Sequence, residues 1–109
     1  MTSDIQFKVH LDDDRVPEKI EWNADDKEGQ EWSETKSIAL SLWDHHNKNS
    51  LRIDLWTKDM PVDEMKRFYI DCLGGLAQSV LNSTGDEFMS QEIGDLCDKL
   101  VEHVKRENS

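Results

Sequence analysis

The hydrophobic period changes once along this chain, and the change falls at Asp59-Met60-Pro61. Ahead of it, apolar residues alternate with polar ones, the spacing of a strand with one buried face. Behind it they recur at intervals of three and four, the spacing of an amphipathic helix. A chain divided in this way is neither all-helical nor all-β. Strands come first and helices follow.

Ile5, Phe7, Val9 and Leu11 alternate with Gln6, Lys8 and His10 and predict a first strand. Asp12-Asp13-Asp14-Arg15 reads as a polar turn. Ile20 and Trp22 predict a second strand, with Pro17 at its start or on an edge because proline lacks a backbone donor. From Asn23 to Thr35 the chain is charged and aperiodic, which predicts a surface loop anchored by Trp32. Ile38, Leu40 and Leu42, then Leu51, Ile53 and Leu55, predict a hairpin around a loop of His45 to Ser50. Centring the pairing on that loop sets Leu42 opposite Ile53 and Leu40 opposite Leu55 on one face. The other face then carries Trp43 opposite Arg52 and Ala39 opposite Trp56.

Asp59 as a capping carboxylate and Pro61 in the first turn predict the start of a helix. Its apolar stripe is Val62, Met65, Phe68, Tyr69, Cys72, Leu73, Leu76 and Val80, and Gly85 caps its end. Gly74-Gly75 falls mid-helix and reads as close backbone packing or a slight kink. Thr84-Gly85-Asp86-Glu87 has the capping-box pattern for a second helix, striped by Met89, Ile93, Leu96, Cys97, Leu100, Val101 and Val104. The expected fold class is α+β: a four-stranded antiparallel sheet followed by an antiparallel pair of helices packed on one face. At 109 residues the chain is expected to form a single domain, 1–109, frayed at Met1 to Asp4 and Arg106 to Ser109.

Charge narrows the partners. A formal net charge of −11 leaves no basic surface for phosphate neutralisation or for docking on an anionic membrane. Four Trp, three Phe and one Tyr argue that a chain with 34% charged residues nevertheless folds. The start has no basic segment followed by an apolar run, and no stretch reaches the eighteen or so apolar residues of a membrane span. Two cysteines are too few for a disulfide scaffold, so a cytoplasmic location is expected, with no membrane insertion.

Chemistry-bearing patterns are sparse. Of the four histidines only His45 and His46 are adjacent, and neighbours on an extended chain point apart. Asp12-Asp13-Asp14 and Asp25-Asp26 lack the loop spacing of a calcium site and read as solvated turns. Cys72 and Cys97 each lie twelve residues from the predicted helix turn, at equal height on apolar stripes, and read as buried thiols acting as small hydrophobes. There is no nucleophile elbow, phosphate loop or metal-ligand spacing, so neither an enzyme nor a cofactor is expected.

The most informative feature is the hairpin face out of phase with the aliphatic residues. It carries Ala39, Ser41, Trp43, Arg52, Asp54 and Trp56, with Arg52 in a position to stack on Trp43. Either a terminal segment or the 23–35 loop, through Trp32, covers these indoles, or the face serves self-association or partner binding, since Trp and Arg are preferred interface anchors.

Three stretches are distinctive together: Val16-Pro17-Glu18-Lys19-Ile20-Glu21-Trp22-Asn23-Ala24-Asp25, Ala39-Leu40-Ser41-Leu42-Trp43-Asp44, and the run from Leu51 through Asp54-Leu55-Trp56-Thr57-Lys58-Asp59-Met60-Pro61-Val62 to Lys66. Through them the chain resembles the gliding motility-associated GldC family over roughly Ile5 to Val104, most strongly from Leu51 to Phe68. The resemblance implies a small, non-enzymatic accessory protein of surface gliding, with no catalytic residue to carry over. The expected partners are the chain itself, as a dimer or tetramer, and other motility or export proteins. The alternative is an acidic holdase: four strands followed by two helices is similar, in element order, to the SecB export chaperone.

Overall fold

A computed structural model of the protein describes residues 1–29 and 31–108. Gln30, inside the expected loop, and Ser109, at the expected frayed end, lie outside the described residues. The chain divides into two compact units, Met1–Met60 and Pro61–Ser109.

Among the described residues the first unit holds five strands in two sheets rather than four in one. β1 (Ile5–Leu11), β2 (Pro17–Ala24) and β3 (Ser33–Thr35) form an antiparallel sheet in that order, and β4 (Ser37–Trp43) pairs antiparallel with β5 (Ser50–Trp56) in a second. The extra strand is β3, inside the segment read as loop. Ser33, Glu34 and Thr35 carry no apolar alternation, so hydrophobic pattern is blind to them. Backbone pairing with Ile20, Glu21 and Trp22 makes the strand. The sheets separate at Lys36, where the chain leaves β2 and begins pairing with β5. There the Thr35 hydroxyl donates to the Ser37 carbonyl at 3.0 Å, and the Thr57 amide donates to the Lys36 carbonyl at 2.9 Å.

β1 and β2 occupy the expected segments, with Phe7 opposite Trp22 and Val9 opposite Ile20 on one face. Pro17 begins β2, where its missing donor leaves no ladder bond unmade. The Asp12 carboxylate organises the β1–β2 turn. It accepts from the Asp14 and Val16 amides at 2.8 and 2.9 Å while Arg15 takes the left-handed conformation (φ 64°). On the polar face His10 and Glu21 lie 2.8 Å apart. Trp32 packs beneath the Lys8 ammonium, 4.2 Å from the ring centroid, so the expected anchor of the loop is held by β1. Of the start expected to fray, Ser3 and Asp4 are tied: the Asp4 amide donates to Asp25 and the Ser3 hydroxyl to Asp26.

The segment after β5 is pinned to the strands. The Lys58 amide donates to the Pro17 carbonyl at 2.9 Å, and its ammonium reaches Asp12 at 2.9 Å. Asp59 accepts from the Thr57 hydroxyl at 2.7 Å and from Lys36 at 3.1 Å. Asp59 is therefore not the helix cap the sequence predicted, because these nearer donors take its carboxylate. Thr57 and Ile20 are fully enclosed, and Ile20 is the one buried apolar residue among those described.

The second unit is an antiparallel helix pair, α1 (Val62–Thr84) and α2 (Glu87–Glu107). Pro61 occupies the cap position of α1 without a side-chain hydrogen bond. Gly85, in the left-handed conformation (φ 72°), donates to the Leu81 carbonyl and ends α1 as expected. The second cap is Asp86, whose carboxylate accepts from the Met89 amide at 3.0 Å, rather than the Thr84 of a capping box. With Gly85 closing one helix, Asp86 is the first residue left extended to cap the next. Register across the pair is set by Ser90 donating to the Ala77 carbonyl at 2.9 Å and by Lys66 reaching Glu107 at 2.9 Å. Arg106 and Glu107 are helical, not frayed.

The thiols of Cys72 and Cys97 are free and half-buried. Cys97 lies against the Ile70 carbonyl at 3.9 Å. Cys72 is two residues further on, about 200° round the helix at 3.6 residues per turn, so it faces another side. A Cβ added at Gly74 or Gly75 meets nothing within 4 Å, so close backbone packing does not explain this pair.

Candidate protein-contact face on the hairpin

The geometry of the face begins at its turn. Asp44 donates its amide to the Asn49 carbonyl at 2.8 Å and accepts from the Lys48 amide at 3.0 Å. Its carboxylate also takes the His46 and Asn47 amides, and Lys48 adopts the left-handed conformation (φ 56°). Asp44 thereby closes a four-residue loop, 45–48, two residues tighter at its far end than the loop read from the sequence. The register shifts by two in consequence. Leu42 pairs with Leu51, not Ile53; Leu40 pairs with Ile53, not Leu55; Ser41, not Trp43, pairs with Arg52; and Ala39 pairs with Asp54, not Trp56. A shift of two preserves which side chains share a face.

All six expected residues therefore lie on one face of β4–β5, together with Ser37 and Ser50. Trp43 lies opposite Ser50 at one end and Trp56 opposite Ser37 at the other. Between them the Arg52 guanidinium forms a fork with Asp54, at 3.2 and 2.9 Å, and donates to the Ser41 hydroxyl at 2.8 Å. A forked arginine–carboxylate pair is charge-assisted and holds both groups in one orientation. Trp43 is 66% exposed and Trp56 48%, so the 23–35 loop does not enclose them. Ser37 and Ser50 were not singled out from the sequence, since serine carries no periodic signal. Only the pairing reveals that each stands across from an indole.

Elsewhere the described residues bring no three His, Cys, Asp or Glu side chains together to hold a metal. His45 and His46 meet edge-to-face with centroids 5.4 Å apart in the turn. No helix among the described residues is long and apolar enough to cross a membrane. Four carboxylates are each held below their ordinary values by a neighbouring donor. The Lys58 ammonium is the leading cause that holds Asp12 below its ordinary value, the Thr57 hydroxyl does the same for Asp59, His10 for Glu21 and Lys66 for Glu107.

The family model described as gliding motility-associated protein GldC-like matches residues 17–106. The match takes in β2 to β5 and nearly all of the helix pair, and it leaves β1 outside. No curated protein and no solved structure matches the chain. With its hairpin, its pinned Thr57-Lys58-Asp59 segment and nearly all of its helix pair inside the matched span, the chain belongs to the GldC-like family of gliding motility-associated proteins.

Proposed function

We propose that this protein is a non-enzymatic, cytoplasmic accessory of gliding motility, one domain of residues 1–109, that works by contact through the face of Ala39, Ser41, Trp43, Arg52, Asp54 and Trp56. The observation that supports the reading is the exposure of two indoles flanking an arginine already oriented by Asp54 and Ser41. Indoles and guanidinium groups carry much of the binding energy of protein interfaces, and an arginine held in place loses less freedom on binding. The candidate partners are other motility or export proteins and the chain itself.

Affinity capture from a gliding host tests this. The wild-type chain is expected to retain a defined set of proteins that a folded Trp43→Ala, Trp56→Ala variant loses. Identical sets from both would refute the face. The holdase alternative rested on four strands preceding two helices, an order that five strands in two sheets no longer match. Suppression of a denatured client's aggregation, undiminished by the same substitutions, would nonetheless favour it.

A further inference from the structure

We propose that the occupant of this face is a second copy of the same chain, related by a two-fold axis running across the strands at the level of Leu40 and Ile53; this rests on the contact reading above. Measured along β5, Trp43 stands at the level of Ser50 and Trp56 three residues beyond Ile53, so the indoles lie equally far on either side of that level. Arg52 and Asp54 flank the same level, one residue to each side. Half a turn about this axis exchanges the Trp43 end for the Trp56 end. Each Arg52 is then set against the second copy's Asp54, closing a ring of four alternating charges. Ala39 and Ser41, the β4 residues between the indoles, are small enough for two sheets to approach to the usual separation of about 10 Å.

Charge permits two copies to meet on this face. The chain carries a net −11, so two copies repel over most approaches, whereas here one arginine balances one aspartate. The area is adequate for a modest dimer. Indoles bury about 150–250 Å² each when fully enclosed, and with 66% of Trp43 and 48% of Trp56 still exposed the four of a symmetric pair supply about a third to a half of the roughly 1,000 Å² that a specific interface requires.

A charge-exchange experiment read by light-scattering mass tests the arrangement. The wild type is expected at twice the chain mass, and R52D and D54R each at the mass of one chain, because like charges then meet across the axis. An equimolar mixture of the two variants is expected to return to the doubled mass, one copy bearing two aspartates and the other two arginines. The double variant R52D/D54R, which retains its internal pair, is expected to dimerise and serves as the folding control. A wild type of single-chain mass, a dimer retained by either single variant, or a mixture that stays monomeric overturns the proposal. A monomeric wild type with tryptophan-dependent capture of host proteins removes the self-pairing alone. A dimer indifferent to Trp43→Ala, Trp56→Ala removes the contact face as well.

Discussion

Ile20 is the one apolar side chain among those described with no exposed surface. Its position is central: it pairs with Val9 on one side and Thr35 on the other. Truncation there leaves a void that few neighbouring apolar groups can fill. Ile20→Ala is expected to cost about 2–5 kcal/mol, and Ile20→Val about 0.5–1.5 kcal/mol, in urea unfolding. A loss for Ile20→Ala below that for Ile20→Val would show that the site is not the enclosed point described. Residue-level reading of the sequence identified Ile20 as inward-facing. It could not single it out from Phe7 or Val9, which share its face yet remain exposed, because exposure depends on what lies above a strand rather than on its alternation.

At the scale of elements, α1 contains two glycines where alanine would serve the helix better. An added Cβ meets nothing within 4 Å at either position. Gly74→Ala and Gly75→Ala are therefore each expected to stabilise the protein by about 0.5–1 kcal/mol, measured as a raised midpoint in thermal unfolding. A destabilised variant would mean that another surface approaches the helix closely there. Element boundaries were legible where a physical stop exists, as at Gly85 and at Pro17. They were illegible where backbone pairing alone decides, as in β3. The hairpin shows the same division. Its two faces follow from alternation, but its register follows from the Asp44 turn, whose carboxylate gathers amides that a centred loop leaves unpaired.

For the whole molecule, the pH response follows from four carboxylates. Asp12, Glu21, Asp59 and Glu107 are each held below their ordinary values by a named donor in the folded chain. An unfolded chain therefore takes up their protons before the folded one does. Their contribution is complete above the unfolded carboxylate values, near pH 4, and is lost as pH falls through the lower folded ones. The thermal midpoint is expected to drop as pH is taken below about 4, and Asp12→Asn is expected to flatten that drop. An Asp12→Asn variant with an unaltered acid profile would show that the Lys58 contact adds nothing to folding.

Local chemistry in the sequence determined the α+β order, the positions of β1, β2, β4 and β5 and of both helices, and the grouping of Trp43 and Trp56 with Arg52 away from the aliphatic residues. Period and chirality act between near neighbours, and near neighbours are what a sequence records. Tertiary structure decided the division into two sheets, the partner taken by Asp59, the two-residue shift that sets Ser41 beside Arg52, and which apolar side chain is enclosed. The shift follows from the amides gathered inside the Asp44 turn, which hydrophobic period does not register, and the other outcomes turn on hydrogen bonds between segments far apart in the chain, such as Lys58 to Asp12 and Lys36 to Asp59.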